Sequence, residues 1–207
     1  MKKIFFLLGI LTIFYACSDE DIIYSCDPDV DAIVKFGEIN TAEITLVEFL
    51  EYDLTMQKAL FRSFSIEKQK AFWLEKLDSV MVNEIETQLE FNHVDSLKTF
   101  LNDNYGVVEP VLQQTFENQW INYARDTLLW EDQKIYFIIS SLCIYEEQYE
   151  LLMQVQTSTR YIQSDCGCST SSDYCYQQGG TCMGEGGCAT VEGCGWLWQY
   201  DCNGGCG

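Results

Sequence analysis

Cysteine is the residue type whose number and spacing in this sequence point most directly to chemistry. The chain has 207 residues and 11 Cys, and eight of these fall in its last 42 positions. The eight are Cys166, Cys168, Cys175, Cys182, Cys188, Cys194, Cys202 and Cys206. This density is typical of disulfide-bonded scaffolds in exported proteins, because oxidising compartments let disulfides persist. The sequence therefore predicts a disulfide framework, but eight Cys allow about 105 pairings and its connectivity stays open.

Metal binding is the competing use of clustered cysteines. No Cys-x-x-Cys pair occurs here, although that spacing is usual in zinc sites, and the only histidine, His93, lies far upstream. The segment also carries aromatic residues that a metal store would not need, namely Tyr174, Tyr176, Trp196, Trp198 and Tyr200. Disulfides are therefore favoured, and we expect no metal and no other cofactor.

The N-terminus has the three-part layout of a secretory signal peptide. Residues 1–3 read Met-Lys-Lys, residues 4–15 are almost wholly apolar, and Ala16 precedes Cys17. The apolar stretch is too short to span a bilayer as a mature helix. The placement of Cys17 resembles a lipobox, in which the cysteine is diacylated and becomes the new N-terminus. We therefore expect removal of residues 1–16 and a membrane anchor on Cys17; an ordinary signal peptide cleaved elsewhere is the alternative.

The residues behind Cys17 bear on where the anchored protein resides. Ser18-Asp19-Glu20-Asp21 resembles the acidic tag of surface-exposed lipoproteins in Bacteroidota-type bacteria. This resemblance implies an outer-membrane lipoprotein exposed at the cell surface. A merely solvated start of a linker is the other interpretation. We assign residues 17–39 to a lipidated tether.

Two cysteines remain once Cys17 is lipidated and the eight C-terminal ones pair among themselves. Cys26 and Cys143 are then the natural partners for an extra disulfide, which would join the tether to the last helix. The alternative is two separate thiols, with Cys143 buried beside Leu142 and Ile144, since free Cys is often buried.

Charge and motifs exclude several classes of function. The formal net charge is −20, which argues against nucleic-acid binding and against attraction to anionic lipid, because both need clustered Lys and Arg. The sequence contains no Ser-His-Asp order, zinc-binding helix motif, phosphate loop or nucleotide fingerprint. We expect no enzymatic activity, and we place His93 at the surface near a helix start.

Helical periodicity extends over residues 40–158 and predicts an all-α helical domain. The expected helix starts are Asn40, capped with Glu43, then Ser65, Val94, Pro110 and Trp130. The third helix should end before Tyr105-Gly106, and the segment from Trp130 to Gln156 forms one long helix or two. The aromatic residues at helical spacing are expected to be core.

Composition changes sharply after this domain. Residues 165–207 contain five acidic residues, no Lys or Arg, and most of the glycines of the chain. We call this segment the Cys-rich module and expect a separate, small, mostly irregular unit. Such a segment cannot bury a core large enough to offset chain entropy, so disulfides would have to stabilise it.

The module resembles a known family. Cys-Gly-Cys-Ser-Thr-Ser-Ser-Asp-Tyr-Cys at 166–175 resembles the opening of fulvocin C, a small Cys-rich bacteriocin. Gly193-Cys194-Gly195-Trp196 and Cys202-Asn203-Gly204 resemble its second half, and residues 65–73 look like longer proteins of the bacteriocin fulvocin C-related family. The resemblance implies an antibacterial module displayed on a lipid anchor, with a receptor on another cell as its partner.

Exposed aromatics would be the natural contact residues of such a module, since Trp and Tyr suit membrane interfaces and binding hot spots. The candidates are Tyr174, Tyr176, Trp196, Trp198 and Tyr200. The alternative for Trp196-Leu197-Trp198 is the small core of the module itself. The alternative for the whole protein is a non-toxic cell-surface interaction or recognition protein that uses the same scaffold.

Overall fold

The structure, a computed structural model, describes residues 22–107, 109–151, 168–172, 175, 181–184 and 190–206. The expected signal peptide, Cys17 and the acidic tag lie outside the described residues. So do Cys166, Cys188, Tyr174, Tyr176 and the junction between helices and module at 152–167.

Helices make up most of the described chain, which confirms the predicted fold class. They are α1 (Pro28–Lys35), α2 (Leu46–Phe49), α3 (Leu54–Ser63), α4 (Ile66–Asn83), α5 (Gln88–Asn104), α6 (Pro110–Asp126) and α7 (Asp132–Ser140). Residues 146–151 are helical as well. Among the helices of the described residues, none combines the length and the apolar character that crossing a bilayer requires.

Local signals place several helix boundaries where the sequence predicts them. Ser65 precedes α4 and its side chain accepts a hydrogen bond from the Lys68 N–H, as an N-cap residue should. Pro110 is the first residue of α6. Gly106 follows α5 with φ +73°, a left-handed conformation that glycine adopts without strain.

Two predicted helix starts are wrong. Asn40 caps only a turn through the Ala42 N–H, and α2 begins after Thr45, which forms a reciprocal capping box with Glu48. The helix expected from Val94 begins at Gln88, after a capping box between Thr87 and Glu90. In both cases a capping box close to the expected start satisfies the free N–H groups of the first turn.

The segment beginning at Trp130 forms two helices, not one. Helix α7 ends where Ser141 takes an extended conformation. The side chain of Lys76 reaches in from α4 and donates to the backbone carbonyls of Phe137 and Ser141. A buried cation that binds the last carbonyls of α7 satisfies acceptors that a longer helix would have used internally.

The part of the expected tether that the structure describes, residues 22–39, is folded onto the helical domain. Helix α1 begins after Asp27, whose carboxylate accepts from the N–H groups of Asp29 and Val30. It packs on α3 and buries Val34 in the main core. The interpretation of residues 22–39 as a tether is therefore wrong, because an amphipathic helix here has an apolar face to cover.

The Cys-rich module forms two small antiparallel sheets. Strand β1 (Cys182–Met183) pairs with β4 (Gly205–Cys206), and β2 (Thr190–Cys194) pairs with β3 (Tyr200–Cys202). Disulfides join Cys168 to Cys182 and Cys194 to Cys202, and Cys175 is disulfide-bonded too. The disulfide-rich character of the module is confirmed.

The helices and the module share one hydrophobic core. Trp196, Leu197 and Trp198 connect β2 to β3, are almost completely buried, and belong to the same cluster as the buried faces of α2 to α7. We call these three residues the Trp turn. The expectation that they form a core within the module alone is wrong, since helical side chains surround them.

Candidate functional site

The contact between the module and the helices is the candidate functional site, and we call it the docking interface. The β2–β3 hairpin packs on α3 and the Trp turn packs on α7. Leu197 and Trp198 have φ of 50° and 56°. A left-handed conformation costs a residue with a side chain about 1 kcal/mol or more, so the surrounding packing has to hold it in place.

Gly195 allows the Trp turn to approach its neighbours closely. Its φ is +68°, and a Cβ atom there would lie 2.6 Å from the Cβ of Ser172. No side chain fits that gap, because Cβ contacts shorter than 3.0 Å do not occur in proteins. Glycine at this position therefore allows both the positive φ and the close approach to Ser172.

Trp198 packs between α3 and α4. Its ring lies edge-on to Phe61 and Trp73, with centroids 5.0 Å and 6.0 Å away. Its indole N–H donates to the carbonyl of Ser140 at 2.9 Å. Trp198 and Lys76 thus bind different backbone carbonyls at the end of α7. The Trp198 side chain is held by both apolar and polar contacts.

Trp196 occupies the other side of the turn, against α6. Its ring lies edge-on to Trp120 at 5.7 Å and Phe116 at 6.4 Å. Its backbone N–H donates to the Ser172 hydroxyl at 3.1 Å. Trp196 and Trp198 were predicted contact residues for another cell, and the structure contradicts that role because both rings are inside this molecule.

Glu117 of α6 binds the module through two hydroxyl groups. Its carboxylate accepts from Ser172 at 2.9 Å and from Tyr200 at 3.0 Å, and it is almost completely buried. Burial, together with the adjacent Glu117 carboxylate, raises the pKa of Tyr200 well above its usual value. Tyr200 keeps its proton and is a donor to the helices, not an exposed contact residue.

Arg62 connects three parts of the chain. Its guanidinium donates to the backbone carbonyl of Glu192 at 2.9 Å, to the carbonyl of Tyr24 and to the Sγ of Cys202 at 3.0 Å. Gly193 makes room for it, because a Cβ there would be 2.7 Å from the Arg62 Nε. The N-terminal segment, α3 and the module are therefore held by one buried cation.

The predicted disulfide between Cys26 and Cys143 is wrong. Cys143 is a buried free cysteine whose backbone N–H donates a hydrogen bond to the Ser141 hydroxyl, whereas Cys26 is disulfide-bonded. The physical reason is the course of the N-terminal segment. Arg62 binds Tyr24 and Cys202 at once, so the stretch that carries Cys26 runs beside the module and not beside the end of α7.

Lys76 lies completely buried near that free thiol. Its Nζ is 4.3 Å from the centroid of the Phe137 ring, in addition to its two carbonyl partners. Desolvation lowers the pKa of Lys76 to about 7, and Cys143 acts in the opposite direction. The amine is therefore only partly protonated at neutral pH, which limits the cost of burying it.

His93 is a core residue and not the expected surface residue. Its ring stacks on Trp120 at 4.3 Å and on Tyr123 at 4.9 Å. Burial lowers its pKa to about 4, so the ring is neutral under ordinary conditions. The start of α5 at Gln88 moves His93 into the helix, onto the face that meets α6.

Within the described residues, one group has the spacing of metal ligands. The sulfur atoms of Cys168, Cys175 and Cys182 lie within 4.8 Å of one another. Each of the three is disulfide-bonded, so none offers the thiolate that a metal ion would need. Their closeness reflects disulfide packing.

Comparisons with family models, with curated proteins and with solved structures found no match. Ring packing, the buried guanidinium of Arg62 and the buried carboxylate of Glu117 hold the docking interface together.

No pattern in the sequence predicted the buried contacts of Arg62, Lys76 and Glu117, or the contact of Lys58 with the Cys194 sulfur at 3.7 Å. A weak signal existed at α3, where Arg62 directly follows the apolar residues Ala59-Leu60-Phe61. A cation inside an apolar run needs a partner when it is buried. The sequence, however, contains no information on which distant carbonyl or sulfur would supply one.

Proposed function

We propose that the protein is exported, is anchored in the outer membrane by a lipid on Cys17, and works at the cell surface as a non-catalytic interaction protein. The lipobox-like N-terminus, the acidic tag and the disulfides support this proposal. A net charge of −20 favours a partner that is neither nucleic acid nor an anionic membrane surface.

The observation that carries the proposal is the burial of the Trp turn. A module displayed for insertion into another cell would keep its large apolar side chains available. Here Trp196 and Trp198 are 0% and 2% exposed and complete the core of the helical domain. The module and the helices thus form one unit with a shared core, and this supports a role in which the solvent-facing side of the intact module contacts the partner.

A bacteriocin-like effector is the second candidate. The helices cover the most apolar residues of the module, as a pro-region or folding aid would cover a toxin before its release. The resemblance of the module to fulvocin C points the same way. In this case killing requires separation of the module from the helices, because only then do the two Trp side chains become available.

The test uses cells that make the full chain, with Cys17→Ser as the matched control. We expect palmitate to label the wild-type protein and not the variant, external protease to reach the wild-type protein on intact cells, and no killing of indicator bacteria on contact. Absence of labelling would refute the lipid anchor. Killing accompanied by a released C-terminal fragment would replace the interaction protein with the effector.

A further inference from the structure

Two cations of one helix face contact the two sulfur atoms of a single disulfide. Lys58 and Arg62 are one turn apart on α3, so their side chains project from the same side. The Lys58 Nζ lies 3.7 Å from the Sγ of Cys194, and Arg62 lies 3.0 Å from the Sγ of Cys202. Each sulfur of this disulfide therefore has a positive charge against it.

A disulfide is uncharged and gains little from such neighbours. The reduced form does gain, because a cation next to sulfur stabilises the thiolate and lowers the pKa of the thiol. Stabilising the reduced form makes a disulfide easier to reduce, and a low-pKa thiol is the better leaving group in exchange. The hairpin also carries a carboxylate, that of Asp201, which accepts a hydrogen bond from the Glu192 backbone N–H at 3.1 Å.

The position of this disulfide gives its opening a consequence. Cys194 and Cys202 flank the Trp turn and close the short loop that carries it. The left-handed conformations of Leu197 and Trp198 persist only while packing and loop closure enforce them. Opening the disulfide lets this loop relax, which weakens the packing of Trp198 between α3 and α4 and of Trp196 against α6.

We propose that Cys194–Cys202 is a thiol-exchange site, which a dithiol reductant opens before Cys168–Cys182 and whose opening loosens the Trp turn from the helices. A thiolate of the dithiol attacks the Cys194 sulfur, the S–S bond breaks, and Cys202 leaves as a thiolate beside Arg62. The second thiol of the reductant then closes its own disulfide and releases Cys194 beside Lys58. Two electrons pass from the dithiol to the protein, and the two protons of the dithiol go to solvent or protonate the released thiolates.

Both sulfur atoms are buried, with Cys194 at 1% and Cys202 at 0% exposure, so exchange proceeds from a locally opened hairpin. The cations therefore act on the equilibrium between the oxidised and reduced forms. That equilibrium is the quantity to measure. Cys168–Cys182, in the same module, is the internal reference.

The experiment equilibrates the oxidised full chain with graded ratios of reduced to oxidised dithiothreitol. Free thiols are then alkylated and each cysteine is quantified by peptide mass spectrometry, with Trp fluorescence recorded in parallel. We expect Cys194–Cys202 to open at a ratio roughly tenfold less reducing than Cys168–Cys182. A red shift of Trp emission should accompany the first transition and not the second.

The variants Lys58→Met and Arg62→Met should move the Cys194–Cys202 midpoint towards that of Cys168–Cys182, whereas Lys58→Arg should leave it in place. Arg62 is buried and its loss endangers folding, so the half-buried Lys58 is the deciding position. The proposal is overturned if both disulfides open together in the wild type. It is equally overturned if the Cys194–Cys202 disulfide of folded Lys58→Met opens at the wild-type ratio, or if the Trp emission maximum does not change when this disulfide opens.

Discussion

The two sheets of the Cys-rich module are held in place by different means. The β2–β3 hairpin places Trp196 and Trp198 inside the helical core, with buried polar contacts from α3 and α6. The β1–β4 sheet has only two residues per strand, and Met183 on β1 is 53% exposed. A disulfide and backbone hydrogen bonds between Cys168 and Gly204 hold this outer sheet.

The difference shows that a high density of cysteines does not free a segment from the need for apolar contacts with the rest of the chain. Disulfides stabilise mainly by restricting the unfolded chain, and they bury little apolar surface. The outer sheet relies on that restriction. The hairpin has a disulfide of its own and still takes its apolar environment from helices far away in sequence, since a module this small cannot form a large core.

Replacing Trp198 should lower the free energy of unfolding more than any other change that distinguishes the two sheets. Trp198→Ala removes the ring that fits between Phe61 and Trp73 and leaves the Ser140 carbonyl without its donor. We expect a loss of about 3–5 kcal/mol in the free energy of unfolding, measured by chemical denaturation. The matched variant in the outer sheet, Met183→Ala, should change it by no more than about 0.5 kcal/mol. Equal effects would mean that the Trp turn is not the anchor.

Removing the disulfide of the outer sheet should have the next largest effect. The double variant Cys168→Ser/Cys182→Ser opens a loop with a sequence separation of 14, so stability should fall by about 3 kcal/mol. Amide exchange should rise at residues 182–183 and 205–206, while Trp emission stays at its wild-type maximum. A shifted emission would show that the two sheets depend on each other.

Glu117→Gln should have the smallest effect of the three. The amide retains one acceptor, and its NH₂ group then faces a hydroxyl of Ser172 or Tyr200 that had been a donor. We expect a loss of about 1–3 kcal/mol, and a fall in the pKa of Tyr200 because the neighbouring negative charge is gone. Denaturation and ultraviolet titration measure these two quantities. The exposed Glu109→Gln is the control, and an unchanged Tyr200 pKa would contradict the contact.

Local patterns in the sequence determined much of the helical framework. Ser65 and Pro110 mark helix starts, and Gly106 marks an end, because each of these effects depends on hydrogen bonds or dihedral angles within one turn. The same locality explains the wrong start at Asn40, where two capping signals lie within a few residues of each other. Cysteine density likewise predicts disulfides, since it reflects the compartment and not the fold.

Tertiary structure alone decided where the module sits and which groups form its interface. Arg62 and Cys202 are 140 residues apart, and Glu117 and Tyr200 are 83 apart, so no local rule connects them. The same holds for Cys143, which the sequence allowed to pair with Cys26 and which the fold buries alone behind α7. The Trp turn looked like a surface for binding other cells. It is buried because the helices leave an apolar gap that only large rings of the module fill, and filling that gap stabilises both parts at once.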